Sequence, residues 1–557
     1  MNNYKDKTKK PILNIALTAV VSAVIIAVAF YITLPPVNLH SGAFWAFVLF
    51  AVAVVTVADL IFNGTSLGGY SSSHSIRGAY LRLPIRFRVL ITVAAVVALL
   101  LIILGIFSSE FLRSDAYSSM IELDEVEFSE AIAESEHVSD IALMDSASAR
   151  IIGNRTLGSL ADLVSQFVIA EDYTQIALNS TPAKVAPLEY ASFFKWLGNR
   201  RDGIPGYVKV DPVEFDAEFV RLDEGKYIKY SPSAYFSKNL SRALRFSYPF
   251  DIFGTVNFET DESGKPYWVC PTLKPRAGFF GGYDAAGVII LDASTGESTK
   301  YELGEIPDWV DIVYSGDLIC QKYDWYGELS GGYINYMFAQ TGCTATTDDF
   351  GYKIIGNDVY IYTGITSLSS DAANIGFILV NSRTGEYRYF SVPGAEEYSA
   401  MSAAEGSLQQ YGYVASFPSL INVRGEPTYI MVLKDASGIV KMYAMVNVRN
   451  YNIAVTAENQ DELVEKYIVA AQLDGKDDTP TDDEELLEVT LTVLEKYLVT
   501  LDGDTVVYLK CENGEICSLP FSAELLRVES GDEVTVKYKS EADGIYDGVS
   551  LLTHSEN

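Results

Sequence analysis

The chain has 557 residues, of which 49% are hydrophobic and 20% are charged, and its formal net charge is −32 at pH 7. Residues 1–108 hold 8 basic and 2 acidic side chains, so the other 33 basic and 71 acidic side chains give residues 109–557 a net charge of −38. A surface of that sign repels phosphate groups, which excludes nucleic acid and disfavours anionic lipid headgroups as partners of residues 109–557.

Three apolar runs lie within the first 108 residues: Ile12–Leu34, Ala43–Phe62 and Val89–Phe107. Each is long enough for a helix to cross a hydrocarbon core of about 30 Å. The first run is too long for the apolar part of a cleaved signal peptide, and two more runs follow it. The sequence therefore predicts a membrane anchor of three transmembrane helices. We expect Asp59, near one end of the second run, to reach headgroup water, and a functional role within the membrane is the alternative.

The basic residues predict the orientation of this anchor. Four lysines precede the first run and four arginines lie between the second and the third: Lys5, Lys7, Lys9, Lys10, Arg77, Arg82, Arg86 and Arg88. The positive-inside rule then places the N-terminus and the loop 63–88 in the cytoplasm. Because the number of spans is odd, we expect residues 108–557 to be extracytoplasmic.

Residues 109–140 are acidic and favour a helix, which predicts either a rigid stalk that continues the third span or a solvated linker. Residues 141–231 are expected to mix helices and strands. Helical periods occur in Leu160–Phe167 and Tyr190–Leu197, and a strand is predicted at Gly206–Val210. Pro, Gly and Asp residues separate these elements.

The next part of the chain repeats a pattern of strands. Gly287-Val-Ile-Ile-Leu-Asp-Ala-Ser-Thr-Gly-Glu297 is echoed 89 residues later by Gly376-Phe-Ile-Leu-Val-Asn-Ser-Arg-Thr-Gly-Glu386. Each segment predicts a buried strand, a turn that ends in Gly and a returning strand. Helical stretches precede the units at Ala234–Phe246, Tyr333–Gln340 and Ser402–Tyr411. We therefore expect repeated α+β units, in each of which a helix lies on an antiparallel sheet.

A second hairpin precedes each echo, at Ser263-Gly-Lys-Pro-Tyr-Trp268 and Gly356-Asn-Asp-Val-Tyr-Ile361, and a partial third copy begins at Gly425-Glu-Pro-Thr-Tyr-Ile430. With these paired elements, residues 232–450 resemble PepSY-like domains. The overall layout is also similar to that of uncharacterised membrane-anchored proteins of Gram-positive bacteria, from which no catalytic residue is carried over. The PepSY-like resemblance implies protease inhibition, peptide binding or a regulatory role at the cell envelope.

Residues 473–486 are acidic and have no apolar anchor, which predicts a solvated linker. Five short strands follow it, separated by turns that contain Gly: Leu487–Val493, Thr505–Lys510, Glu515–Phe521, Glu533–Tyr538 and Val549–Leu552. Five strands in so short a segment predict a small closed β-barrel of OB or SH3-like type. We expect this barrel to serve as an interaction module or a structural cap.

Five cysteines in 557 residues do not form a disulfide framework. Cys511 and Cys517 flank a hairpin-like turn that could bring their Cβ atoms within bridging range. The sequence therefore leaves open a disulfide between these two residues or a pair of free thiols. The other cysteines are expected to be small core residues.

The sequence lacks the usual residue patterns of catalytic and metal sites. Its four histidines are His40, His74, His137 and His554, and it contains neither His-Glu-x-x-His nor Cys-x-x-Cys. A zinc site is therefore not expected, and a Ser-His-Asp or Cys-His arrangement would lack its base. P-loop and Gly-x-Ser-x-Gly motifs are also absent. We expect no catalytic residue, no metal and no cofactor.

Aromatic side chains gather between the first two units: Trp309, Tyr323, Trp325, Tyr326, Tyr333 and Tyr336. Rings of this kind suit contacts with a ligand or a partner, such as a glycan or a peptide. Packing between adjacent units is the alternative, and the sequence favours it.

The predicted domains are a membrane anchor (1–108), an acidic stalk or linker (109–140), a mixed α/β segment (141–231), PepSY-like units (232–345, 346–398 and, in part, 399–472), an acidic linker (473–486) and a β-barrel (487–557). The predicted function is that of a non-enzymatic, extracytoplasmic binding or scaffold protein of the bacterial cell envelope. It would contact membrane lipid through three helices, and a protein, peptide or cell-wall partner outside. A regulator or inhibitor of an extracytoplasmic protease is the alternative, and an enzyme of unrecognised type is the third hypothesis.

Overall fold

The structure is a computed structural model that describes residues 6–63, 85–135, 141–368, 370–473, 487–501, 504–520, 525, 528–542 and 545–555. The chain folds as two units, Met1–Asp474 and Gly475–Asn557. The predictions that concern the loop 64–84, His74, His137 and the linker 474–486 lie outside the described residues.

The three apolar runs form helices, as predicted: α1 (Asp6–Thr33), α2 (Gly42–Asn63) and α3 (Ile85–Phe107). Within them, Leu13–Thr33, Gly42–Phe62 and Phe87–Phe107 are long and apolar enough to cross a membrane. Neighbouring polypeptide covers Asp59, which is only 8% exposed.

The acidic stretch after α3 packs, as far as residue 135, against the four sheets described below, which we call the body. Helix α4 (Glu110–Ser118) leads to strand β1 (Leu123–Glu125) and to a single turn, α5 (Phe128–Ala131). β1 pairs in parallel with β16 (Tyr387–Phe390). The apolar side chains that alternate with the acidic ones are the reason, because Phe128 and Ile132 are buried in the core of the body. Through residue 135 the stretch is thus neither a free stalk nor a solvated linker.

Four sheets follow along the chain, and a helix precedes each of them; they are antiparallel apart from the pairing of β1 with β16. Sheet 1 follows α6 (Ser146–Gly158) and contains β2 (Phe167–Ile169), β3 (Thr174–Leu178), β4 (Thr181–Tyr190), β5 (Gly206–Asp211) and β6 (Asp216–Arg221), with α7 (Phe193–Asn199) between β4 and β5. Sheet 2 follows α8 (Leu240–Ser247) and contains β7 (Ile252–Phe253), β8 (Asn257–Thr260), β9 (Pro266–Ala277), β10 (Gly281–Asp292) and β11 (Ser298–Glu302).

Sheet 3 follows α9 (Gly316–Leu329) and contains β12 (Thr344–Thr346), β13 (Gly351–Ile355), β14 (Asp358–Ser367), β15 (Ser370–Asn381) and β16, with β1 added in parallel at the edge next to β16. Sheet 4 follows α10 (Glu397–Ser407) and contains β17 (Val414–Ala415), β18 (Ser419–Val423), β19 (Glu426–Lys434), β20 (Val440–Asn447) and β21 (Ala454–Ala457), with α11 (Gln460–Ala470) after it. All four sheets have one strand order, in which two short strands pair with the first long strand, the first long strand pairs with the second, and the second pairs with the last strand.

The central strands of sheets 2 and 3 are buried on both faces. In β10, Ile289 and Leu291 pack in a core shared with sheet 1, whereas Val288 and Ile290 pack in a core shared with sheet 3. β15 divides its apolar residues in the same way between sheets 2 and 4. Because successive strand residues point to opposite faces, an unbroken apolar run suits a sheet that lies between two others. The sheets are therefore stacked in chain order, and α11 covers the last of them.

One predicted helix is wrong and another is present with a π-helical turn. The helix predicted at Leu160–Phe167 is wrong, because α6 ends at Gly158 and turns lead from there into β2. The helical stretch predicted at Tyr333–Gln340 forms, with Tyr333 and Ile334 in α-helical conformation and Asn335–Ala339 as a π-helical turn, and the longer helix α9 lies before it. The pair Gly331-Gly332 separates the two, and Gly332 has a φ of +82°, which a helix does not continue through.

The second unit is a closed barrel of five strands: β22 (Leu487–Leu501), β23 (Asp504–Cys511), β24 (Ile516–Pro520), β25 (Glu533–Ala542) and β26 (Ile545–Ser555). The five strands expected from the turn residues are thus present. β24 and β26 pair in parallel, and the other pairs are antiparallel. Apolar side chains such as Leu509 and Val534 fill the interior.

Candidate functional site

A cavity of about 530 Å³ opens where sheet 1, sheet 3, α10 and the segment before β18 meet. We call it the Lys184 cavity. Its lining side chains come from five parts of the sequence and include Asp145, Gln175, Lys184, Phe350, Tyr352, Tyr362, Tyr398, Met401 and Phe417. Its volume lies within the range of small-molecule sites in proteins, about 300–1,000 Å³.

Lys184 is the cation of this cavity. It lies on β4 directly opposite Gln175 of β3, so both polar side chains are on one face of sheet 1. The residue is only 5% exposed, and its Nζ lies 5.6 Å from the centroid of the Tyr352 ring. Burial lowers the pKa of the Lys184 ammonium to about 8, and the charge of Asp145 opposes that shift. At neutral pH Lys184 is therefore protonated in most of the protein molecules.

Asp145 is held by another cation. It caps the N-terminus of α6, where its Oδ1 accepts the Ser148 N–H at 2.8 Å. Its Oδ2 forms an ion pair with the Nζ of Lys434 on β19. Burial by itself raises the pKa of the Asp145 carboxyl, but Lys434 and the hydrogen bonds from Ser148 together outweigh it and lower that pKa. Asp145 is therefore paired with Lys434, and among the described residues Lys184 forms no ion pair.

Aromatic rings form the opposite wall of the Lys184 cavity. Phe350 meets Tyr352 edge-on at 5.7 Å, and Phe417 lies 6.4 Å from Tyr362 and 6.5 Å from Tyr398. The Tyr362 hydroxyl donates to the Pro418 carbonyl oxygen, which fixes that ring. A buried ammonium facing aromatic rings suits a ligand that carries an anionic group and an apolar body.

A second buried titratable group lies next to this wall. Glu397, at the start of α10, is completely buried, and its Oε1 accepts the Gly364 N–H at 2.8 Å. Burial raises the pKa of this carboxyl to about 7. Its charge also contributes to raising the pKa of the Tyr362 hydroxyl, which burial raises most.

The six aromatic residues predicted to contact a ligand are divided between two clusters, and none of them lines the Lys184 cavity. Trp309 packs on Tyr267 of β9, at 4.8 Å between ring centroids. Tyr323 and Tyr326 pack in the same core as Trp309, between sheets 2 and 3.

The other three, Trp325, Tyr333 and Tyr336, lie together beside α4. There the Trp325 Nε1 donates to Glu110 at 2.9 Å, and Tyr333 meets Phe111 edge-on at 5.4 Å. These three rings thus join α9 and the π-helical turn to the helix that follows the third span. A ligand contact at any of the six stays a prediction.

Cys511 and Cys517 lie on neighbouring strands inside the barrel, and both are buried free thiols. The register pairs Cys517 with Leu509, which places Cys511 diagonally across from it. Burial raises the pKa of the Cys511 thiol to about 11, so very little of it is the reactive thiolate at neutral pH.

Within the described ranges, no three His, Cys, Asp or Glu side chains come together as metal ligands would. Comparison with protein-family models finds none that matches the chain, and no curated protein matches it. The chemistry of the Lys184 cavity is therefore the basis for a function.

Proposed function

We propose that this protein is a membrane-anchored, extracytoplasmic binding protein of the bacterial cell envelope, and that its ligand places a carboxylate at Lys184. The observation that carries the proposal is a buried ammonium group that faces an aromatic-walled cavity. The three apolar helices and the basic residues around them support the anchor and its orientation.

The ligand class follows from the walls of the cavity. A carboxylate would form charge-assisted hydrogen bonds with Lys184, and the rings of Tyr352, Tyr398 and Phe417 would cover an apolar side chain. A peptide with a free C-terminus and an apolar last residue combines both features. The cavity volume of about 530 Å³ suits such a peptide end.

The test is peptide binding to the full-length protein in detergent, measured by calorimetry. We expect N-acetyl-Ala-Phe with a free carboxylate to bind, and its C-terminal amide to bind about ten-fold or more weakly, because a hydrogen bond to a charged group contributes about 1.5–3 kcal/mol. Lys184→Met should weaken binding of the free acid by a similar factor. Affinity should also fall as pH rises above about 8, because Lys184 then loses its proton.

The matched control is Lys209→Met, which removes a more exposed lysine of β5 that pairs with Glu218. This variant should bind as the unchanged protein does. Equal binding of the acid and the amide, or equal affinities of the two methionine variants, would contradict the proposal.

We further propose that the four sheets are repeats of one α+β unit and include the segment 141–231. The turn after the second long strand supports this. Its first residue is Asp211, Asp292, Asn381 or Asn447, and in each case the side-chain Oδ1 accepts backbone N–H groups two or three residues later, at 2.8–3.0 Å.

The residue after that Asp or Asn supports the repeat as well, because its carbonyl oxygen accepts N–H groups from the segment ahead of the unit's helix. The Ala293 carbonyl oxygen accepts the N–H groups of Lys229 and Tyr230. The Ser382 carbonyl oxygen accepts those of Val313 and Tyr314. A repeated helix and meander favours the PepSY-like resemblance. A second candidate function is therefore regulation or inhibition of an extracytoplasmic protease, which would be seen as lower activity of such a protease when the full-length protein is added.

A further inference from the structure

One segment of the body is positively charged, although the region around it is strongly acidic. Residues 231–250 contain three basic side chains, five aromatic side chains and no acidic one. The region to which they belong, 109–557, carries a net charge of −38. A basic and aromatic composition is typical of protein segments that lie at the surface of an anionic membrane.

The same segment touches the end of the first span. The Arg242 guanidinium lies 4.4 Å from the centroid of the Tyr31 ring, and its Nε donates to the Tyr31 carbonyl oxygen at 3.4 Å. The ring of Phe246 is 6.3 Å from that of Tyr31. In the loop between α1 and α2, the Val37 N–H donates to the Pro249 carbonyl oxygen at 2.7 Å.

The third span is fixed to the same side of the body. Ser108, directly after α3, accepts the N–H groups of Phe279 and Phe280 at 2.7 and 3.1 Å through its Oγ. His40, just before α2, lies beside Phe279, with 3.0 Å between its Nδ1 and the Phe279 carbonyl oxygen. The body-side ends of all three spans therefore meet sheet 2 and the segment before it. If these helices span a membrane as proposed, they leave its hydrocarbon region at this contact.

Aromatic residues mark that edge of the hydrocarbon region. Tyr31 and Trp45 lie near the ends of α1 and α2, where such rings prefer the membrane–water interface. At the same level Phe246 and Phe250 are 57% and 66% exposed. Among the described residues, neither Lys238 nor Arg242 pairs with a carboxylate, since their contacts are with Tyr230 and Tyr31.

We infer that Ser231–Phe250 is a membrane-surface contact, in which Phe246 and Phe250 enter the boundary between headgroups and acyl chains and Lys238 and Arg242 face anionic lipid phosphates. The inference rests on the proposed membrane anchor. The acidic body as a whole repels anionic headgroups, but this repulsion does not extend to the basic segment 231–250.

The test uses the full-length protein in nanodiscs that contain phosphatidylglycerol, with a fluorescent thiol label at Phe250→Cys. A nitroxide on the lipid headgroup should quench this label by more than half, and aqueous iodide should quench it weakly. The control is Lys466→Cys on α11, which covers sheet 4, two sheets away from sheet 2 in the stack. The control label should behave in the opposite way, and the unsubstituted protein gives the background from its own thiols.

The charge is tested by hydrogen exchange of residues 236–250 in the same nanodiscs. Exchange should be several-fold slower with phosphatidylglycerol than with phosphatidylcholine alone, and the Lys238→Gln/Arg242→Gln variant should lose that difference. Equal quenching of the two labels, or exchange that ignores lipid charge, would overturn the inference while leaving the anchor intact. Extraction of the protein from membranes by alkaline carbonate would instead overturn the anchor itself.

Discussion

Glu259 is a carboxyl group that the fold removes completely from water. Its two oxygens accept the N–H groups of Asp311 and Ile312, at 2.8 and 3.2 Å, and the Asp311 carboxyl accepts the Ala177 N–H at 3.0 Å. These bonds join β8 of sheet 2, β3 of sheet 1 and the segment before sheet 3. Burial raises the pKa of both carboxyls, and the charge of Glu259 raises that of Asp311 further. The junction of three sheets is thus most stable when it is protonated.

At this junction we predict a loss of stability with rising pH. A carboxyl whose folded pKa is raised binds more protons in the native state than in the unfolded chain, so stability falls as pH rises from the ordinary value of about 4 through the raised one. Asp311→Asn keeps an oxygen for the Ala177 N–H but removes one of the two charges. The slope of stability against pH should become shallower by up to about 1.4 kcal/mol per pH unit.

The measurement is thermal unfolding in detergent, followed by circular dichroism between pH 5 and pH 9. Asp308→Asn is the control, because this carboxyl lies three residues away but its side chain is 94% exposed. The control should keep the slope of the unchanged protein. If Asp311→Asn keeps it too, the buried pair does not set the pH dependence.

At the scale of elements, the turns hold the sheets to their neighbours. In the turn after β10, Asp292 accepts two N–H groups through Oδ1, and its Oδ2 pairs with Lys265 at 2.7 Å. Gly296 follows with a φ of +81°, and a Cβ at that position would overlap the ring of Tyr230. The glycine of the repeated Thr-Gly-Glu sequence is therefore needed both for the turn and for the close contact with the segment before α8.

We predict that the turn bonds of Asp292 can be separated from its ion pair. Asp292→Asn keeps an Oδ1 acceptor and loses the charge that attracts Lys265, whereas Asp292→Ala loses both. The alanine variant should be less stable than the asparagine variant by about 1–2 kcal/mol, the usual cost of leaving buried N–H groups without acceptors. Urea unfolding of both variants in the same detergent gives the difference. Equal stabilities would mean that the Oδ1 bonds contribute nothing to the fold.

At the scale of the whole molecule, the three span ends at Thr33, Gly42 and Phe107 meet the body on one side. The other ends, at Asn63 and Ile85, therefore lie on the opposite side of the membrane that we propose. The basic residues near the spans predict, through the positive-inside rule, which side faces the cytoplasm. The proposed binding function outside the cell depends on that orientation.

Reporter fusions in a bacterial host test the orientation. Alkaline phosphatase fused after Asn557 should be active, because it folds only outside the cytoplasm, and green fluorescent protein at the same position should be dark. A chain cut after Asn63 and fused to the same reporters should give the reverse result. Fluorescence from the fusion after Asn557 would place the body in the cytoplasm and remove the proposed function.

The sequence alone determined the features that depend on neighbouring residues. The apolar runs gave three helices, the alternation of turns and strands gave the five-stranded barrel, and the echo at Gly287 and Gly376 fell on equivalent strands of sheets 2 and 3. Length, local periodicity and turn chemistry are sufficient for such elements, because their hydrogen bonds are closed within a few dozen residues.

Only the tertiary structure decided which distant residues meet. Lys184 stands in an apolar strand, but its cavity also needs side chains from segments near residues 145, 350, 398 and 417. Sheet 1 shares its strand order with the other three sheets without a clear echo in sequence, and the stretch after α3 is packed rather than free. Burial, and with it the shifted pKa of a lysine or a carboxyl, is a property of packing between segments. A local pattern of residues in the sequence therefore does not predict burial or the pKa shift that follows from it.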